Sequence, residues 1–275
     1  MTRPIAEPGA LQRLDVVGGE LAYRVDGTVG PWIIAAHSLA SSHRMWDAQV
    51  AALTGSYRLL RFDLRGHGAS SGVEGEGRVD RCVADVIALM DHLGIDAAHF
   101  LGLSLGGAIG IALAIRHPRR VQSVVACCCR VDAPSAYVDA WRDRLALVER
   151  GGMAAVVEPT LARWFTPAAF EAPAMSDAIE AAREQLLTTP VAGYRYGVQA
   201  LLSLNEAACL AAIRTPTLLI AGDADTAVPA SVMAAMQARI ASSRLVVLED
   251  AAHLCNVEQA ARFDALLLEW LKEYS

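Results

Sequence analysis

The sequence predicts an α/β fold: a mostly parallel central sheet with helices on both faces and a helical segment inserted into it. Two observations carry that class. Through residues 1–130, short apolar runs alternate with amphipathic ones, the rhythm of strand–helix–strand units whose sheet is covered on both sides. From about 131 to 210 the rhythm gives way to helical stretches alone, and strands resume only afterwards. The expected division is therefore a core of residues 1–130 and 211–275 and a cap of residues 131–210.

Taken in order, "LQRLDVV" and "ELAYRVDG" flank Gly18-Gly19 and read as a hairpin. "WIIAAH" is a buried strand, followed by a helix around "HRMWDAQVAAL" and the strand "YRLLRFD". "VDRCVADVIALMDHLG" places Val79, Val83, Val86, Ile87, Met90 and Leu93 on one helical face, with Gly94 suited to end it. Next come strand "AHFLG", helix "GAIGIALAIRHP" stopped near Pro118, and strand "VQSVVACCC". In the insertion, "YVDAWRDRLALVER", "MAAVVEPTLARWF" and "MSDAIEAAREQLL" are helical, interrupted by Pro159, Pro167, Pro173 and Pro190. "TPTLLIAG" and "RLVVLED" are the last strands, and "EQAARFDALLLEWLKEY" is an apolar-faced closing helix.

Composition narrows the function classes. At 275 residues and 54% hydrophobic, the chain can bury one large core. Its net charge of −6 comes from scattered charges of both signs, with no basic stripe to neutralise phosphates. Nucleic acid and membrane are therefore not expected as partners. The start, "MTRPIAEPGALQRLD", lacks the apolar run of a signal peptide, so a cytoplasmic location is expected. Of six cysteines, three are adjacent in "VVACCCR". Strand neighbours point to opposite faces, which makes a poor metal cluster and a poor disulfide pair. They read as small apolar fillers, and no metal or other cofactor is expected. A homo-oligomer is left open.

The chemistry starts at "GLSLGG". Gly102-Leu103-Ser104-Leu105-Gly106 matches G-x-S-x-G between a predicted strand and a predicted helix, the context the motif requires. A serine on such a sharp bend needs small neighbours two residues away on either side. Its hydroxyl stands clear of the sheet, and the helix N-terminus favours negative charge there. Serine alone is a weak nucleophile, so a base and a group to orient it are needed. After Ser104 only His117 and His253 remain. His117 lies at the far end of the helix that starts at the serine, at about 1.5 Å per residue, and cannot reach back. His253, in "EDAAHLCNVE", follows the last strand and falls at the carboxyl edge of the sheet.

The orienting acid belongs in "AGDADTAVPA", where Asp223 and Asp225 both have the chemistry. Asp225 is preferred, being nearer the loop tip, while Asp223 suits a loop-fixing role. Donors for an oxyanion are the backbone N–H groups of Leu105, next to the nucleophile, and of Leu39, in the loop after "WIIAAH". His37, and Arg65 and His67 in "FDLRGHGAS", read as loop architecture.

Together, "AHSLASS", "DLRGHGASS", "GLSLGG", "GDADTAVP" and "AAHLCNVE" resemble the α/β-hydrolase superfamily over nearly the whole chain. With "LAYRVDG", "MWDAQVAAL" and "LARWFTP" added, the likeness is greatest to 3-oxoadipate enol-lactone hydrolases and related carboxylesterases. That resemblance implies a cofactor-free serine hydrolase of a small ester or lactone, with Ser104, Asp225 and His253 as its triad and Leu39 and Leu105 as its oxyanion hole. The pattern departs at His37-Ser38, where those enzymes carry Asn-Ser, and at Cys127 to Arg130, where they carry Asn-Thr after the strand.

The insertion is expected to roof the pocket. Ser38, Arg130, Trp141 and Trp164 are pocket candidates, with Met153, Phe165, Tyr194 and Tyr196 as further apolar lining and Arg142 and Arg163 as further partners for a carboxylate. Three readings compete: the ester or lactone hydrolase, a C–C bond hydrolase or cofactor-free haloperoxidase on the same fold, and a non-catalytic ligand receptor. Enzymes of this fold with an aspartate nucleophile are disfavoured by Ser104.

Overall fold

Each apolar run between turn residues becomes a strand: β1 (Gln12–Val16), β2 (Gly19–Asp26), β3 (Trp32–Ala36), β4 (Arg58–Phe62), β5 (Ala98–Leu103), β6 (Val121–Cys127), β7 (Thr217–Gly222) and β8 (Ser243–Leu248). The computed structural model describes residues 9–275, so the first eight residues of the opening segment read above lie outside the described residues. The strands form one sheet in the order β1-β2-β4-β3-β5-β6-β7-β8. β2 runs antiparallel to both its neighbours and every other pairing is parallel. The predicted hairpin turns at Gly18, whose φ of 75° a side chain rarely adopts.

Among the strands come α1 (Asp47–Leu53), α2 (Val79–Leu93) and α3 (Leu105–Arg116), and α2 ends at Gly94 in the left-handed conformation, as its sequence predicts. Between β6 and β7 the structure has α4 (Ser135–Gly151), α5 (Val157–Trp164), α6 (Pro167–Glu171), α7 (Ser176–Thr188) and α8 (Val191–Leu202). The two ends of this segment meet at an isolated bridge between Asp132 and Asn205. After β7 come α9 (Ala230–Gln237), then, beyond β8, α10 (Cys255–Glu258) and α11 (Ala260–Tyr274).

The sheet's alternation places helices on both faces. A side chain at Gly110 of α3 would collide with Phe100 and press on Val124, so those two strand residues face α3. Their neighbours His99 and Ser123 point the other way, where Ser123 accepts a hydrogen bond from Trp270 of α11 at 3.1 Å. Among the described residues no helix is long and apolar enough to cross a membrane.

One strand boundary corrects the sequence reading. "VQSVVACCC" ends as a strand at Cys127, and Cys128 has a φ of 46°. The strand rule that separates the three cysteines therefore fails at Cys128. Its side chain turns toward Cys255, with the two sulfurs 3.7 Å apart.

Candidate active site

β5 and α3 meet at Ser104, whose φ of 56° and ψ of −114° make the sharp strand-to-helix bend. Crowding forces both flanking glycines. A β-carbon on Gly102 would stand 2.2 Å from the Gly106 carbonyl oxygen, and one on Gly106 would stand 2.1 Å from the Ala36 oxygen. The Ser104 N–H is fixed by the Cys127 oxygen at 2.8 Å, which leaves the side chain to face a cavity at the sheet's carboxyl edge.

His253 and Asp225 come to the same edge from the loops after β8 and β7. The His253 Nδ1–H donates to Asp225 Oδ2 at 2.8 Å, and both residues are buried. Asp225 Oδ1 accepts from the backbone N–H groups of Ala227 and Val228 at 2.7 and 3.0 Å. Burial alone would raise the Asp225 carboxyl, but the His253 imidazole and these two donors outweigh it and hold it below its ordinary value. Asp223 is exposed and accepts from the Ala251 N–H at 3.2 Å, so it fixes the histidine's loop rather than its ring. The Nδ1 contact leaves His253 Nε2 as the nitrogen available to Ser104, and both residues line one cavity. No direct Ser104–His253 hydrogen bond occurs among the described residues. Such contacts tighten in the reacting complex.

The loop after β3 supplies the opposite wall. Ser38, Leu39 and Ala40 line the cavity, and Ala40 adopts a left-handed φ of 59°. Neither the Leu39 nor the Leu105 N–H donates to a protein acceptor among the described residues. His37 anchors this loop: its Nδ1–H donates to the Ser38 oxygen at 2.6 Å, and its Nε2 accepts from the Leu64 N–H at 2.9 Å. Burial pushes its pKa down to about 3, so it is neutral and structural. In "FDLRGHGAS", Asp63 accepts from His43 and Ala69, and Arg65 forms a buried two-bond pair with Asp85. That segment is loop architecture.

The helical segment roofs the cavity. Trp141, Trp164, Tyr194 and Arg163 line it. Arg130 does not. It lines a separate cavity with Asp132 and Met236, where it pairs with Asp132 at 2.8 Å and stacks on Tyr137 at 4.3 Å. Arg142 is largely exposed beside Asp139, and Met153, Phe165 and Tyr196 are buried away from the cavity.

Sequence reasoning misses Tyr137, Arg144 and Thr160, which also line the cavity. A signal exists: Tyr137, Trp141 and Arg144 fall at i, i+4 and i+7 of α4, and Thr160, Arg163 and Trp164 at i, i+3 and i+4 of α5, so each set shares a helical face. Among the described residues, Arg144 Nε and the Arg163 guanidinium make no hydrogen bond there. Burial and the neighbouring Arg144 pull Arg163 below its ordinary value, yet an arginine stays cationic.

Hydrogen bonds tie the segment between β6 and β7 to the loops that carry His253 and Leu39. Glu258 of α10 accepts from the Thr166 N–H at 2.9 Å and from its hydroxyl through one oxygen. Through the other it accepts from the Ala252 N–H at 2.8 Å. The Leu254 N–H donates to the Trp164 oxygen at 3.0 Å, so both neighbours of His253 are tied to the roof. Gln185 of α7 likewise accepts from Ser41 and Ser42, close to Leu39 in the chain.

A family model for the alpha/beta hydrolase fold matches residues 31–260. The 3-oxoadipate enol-lactonase 2 of Acinetobacter baylyi is 34% identical over 245 residues, 89% of this chain and 90% of that protein. Among solved structures, a hydrolase from Pseudomonas aeruginosa PA01 superposes with a TM-score of 0.90 at 38% identity, covering 96% of this chain and 99% of that one. An enol-lactonase from Burkholderia xenovorans LB400 superposes with a TM-score of 0.89 at 34% identity, covering 95% and 100%.

Proposed function

The chain belongs to the α/β-hydrolase family, and from that premise we propose that it cleaves a small carboxylic ester or lactone through an acyl-enzyme on Ser104. The Ser104 hydroxyl attacks the carbonyl carbon while His253 Nε2 takes its proton. Asp225 holds the imidazole in the tautomer that leaves Nε2 unprotonated, and stabilises the imidazolium that forms. The tetrahedral oxygen receives the N–H groups of Leu39 and Leu105. His253 then gives its proton to the departing oxygen, and a water activated by the same nitrogen releases the acid. The observation that carries this reading is His253, held by Asp225, on the cavity that Ser104 shares, beside the Leu39 and Leu105 amides, which donate to no protein acceptor among the described residues.

The substrate we propose carries a carboxylate, as an enol-lactone acid does. Among the described residues Arg163 has no hydrogen-bond or ion-pair partner, in a cavity that it shares with a second cation, Arg144, and with the rings of Tyr137, Trp141 and Trp164. An unmet guanidinium in such surroundings is costly unless the ligand satisfies it. The same reading divides the chain into a core of 1–130 and 211–275 and a cap of 131–210 that closes the site. Steady-state hydrolysis of 3-oxoadipate enol-lactone against neutral short-chain esters tests it. A higher kcat/KM for the anionic lactone is expected. No turnover of either by folded protein would overturn the hydrolase reading.

A further inference from the structure

Beneath the histidine lies a set of donors that the proposed hydrolysis does not use in full. Cys128, Asp225 and His253 each present one ligand atom, all within 4.8 Å of one another, and all three residues are buried. A fourth donor stands at the edge of this group: Cys255 Sγ, also fully buried, lies 3.7 Å from Cys128 Sγ but more than 4.8 Å from at least one of the other two ligand atoms. Two thiolates on a tetrahedral zinc ion, each at about 2.3 Å, stand about 3.8 Å apart. The sulfur pair is already at that spacing, and Cys128, the imidazole and the carboxylate form a nitrogen, oxygen and sulfur set of the kind zinc prefers, which a small shift of the Cys255 side chain toward them would complete.

We propose that Cys128, Cys255, Asp225 and His253 Nδ1 form an inhibitory site for a thiophilic divalent ion such as Zn2+. On binding, the two thiols release their protons to solvent, and the ion takes the position of the Nδ1 proton between His253 and Asp225. That proton moves to Nε2. No electrons are transferred. Two thiolates and one carboxylate against a divalent ion leave one net negative charge, and Arg163, whose charge acts on Asp225, offsets it. The consequence for catalysis, which rests on the hydrolase reading, is direct. An imidazole metallated at Nδ1 carries hydrogen on Nε2 and can no longer accept the serine proton. The ion would enter past His253, the member of the set that lines the cavity.

The test uses the full chain with exposed Cys209 replaced by serine, so that this thiol does not bind metal at the surface. Co2+ titration should give a thiolate-to-cobalt charge-transfer band saturating at one ion per chain, abolished by excess Zn2+. Zn2+ should inhibit hydrolysis over the same range. Cys128→Ser, which removes no group assigned to catalysis, should retain basal turnover within about twofold and raise the half-inhibiting zinc concentration by about 100-fold or more, since even outer partners of a metal cost about 10–100-fold. Cys255→Ser should weaken the band without removing turnover. No band with Cys128 intact, or a band unchanged in both serine variants, would overturn the site. A band that saturates in a protein unable to hydrolyse any ester supports the site while refuting the hydrolase reading.

Discussion

Replacing Glu258 by alanine should damage catalysis more than it damages binding. The carboxylate is the acceptor for the Thr166 and Ala252 N–H groups, at 2.9 and 2.8 Å, and for the Thr166 hydroxyl. Hydrogen bonds to a charged partner contribute about 1.5–3 kcal/mol each. Glu258 is half-buried and water can replace part of that, so about 2–4 kcal/mol of stability should be lost. The amide that is freed belongs to the residue before His253, so the imidazole's position loosens while the cavity wall at Trp141 and Arg163, the proposed substrate contacts, stays. Urea denaturation and steady-state kinetics on one substrate would measure both effects. The expected pattern is a tenfold or greater drop in turnover, which about 1.4 kcal/mol of lost transition-state stabilisation would produce, with KM changed less than about threefold. Glu258→Gln, which keeps one acceptor oxygen, should recover part of the loss. A destabilised variant with unaltered kcat would refute the idea that this carboxylate positions the histidine.

Other outcomes follow from single contacts. Gly106→Ala should yield little folded protein, or lose more than about 4 kcal/mol by chemical denaturation, because its β-carbon would sit 2.1 Å from a main-chain oxygen that cannot move without breaking β3. Arg163→Met should lower kcat/KM for an anionic lactone by about 10–100-fold, the range of one charge-assisted bond, and leave a neutral ester within about threefold. The acid side of the stability profile should carry a signature of His99, which burial pushes down to about 4 from 6.5. Between those values the unfolded chain binds the proton and the native one does not, so stability falls as pH drops, by up to about 1.4 kcal/mol per pH unit. His99→Gln, remote from the cavity, should shallow that slope in urea titrations from about pH 7 down to about pH 4.

The parts of the fold legible in the sequence are those where local pattern and tertiary packing agree. The apolar runs become the eight strands, and the bend at Ser104 is readable because its glycines are demanded by main-chain crowding. α8 escapes notice for the opposite reason. Its Gly193 and Gly197 weaken the local helix signal, yet Gly193 is required by a neighbour, since the Gly66 backbone would be 1.8 Å from a β-carbon there, and a β-carbon on Gly197 would displace the tip of the Leu39 side chain, 2.3 Å away. α9, "ASVMAAMQ", lacks both a side-chain cap and a polar face and so gives no periodic signal. The approach of Cys128 to Cys255, and the placing of Arg130 in a separate cavity, both follow a left-handed turn at Cys128 that strand periodicity cannot anticipate. Arg144 is overlooked although its helical spacing from Trp141 is visible. Which face of a cap helix looks down is settled only by the packing of the whole insertion.

The rate at which a fluorophosphonate labels the protein, followed by intact mass and peptide mapping, tests the joint action of Ser104, His253 and Asp225 most directly. One label on Ser104 is expected, none in Ser104→Ala, and labelling slowed by about 10⁴-fold in Asp225→Asn, whose amide would present the wrong tautomer to the base. Labelling elsewhere in folded wild-type protein, or at an undiminished rate in the Asp225 variant, would contradict the claim that these three side chains act as one unit.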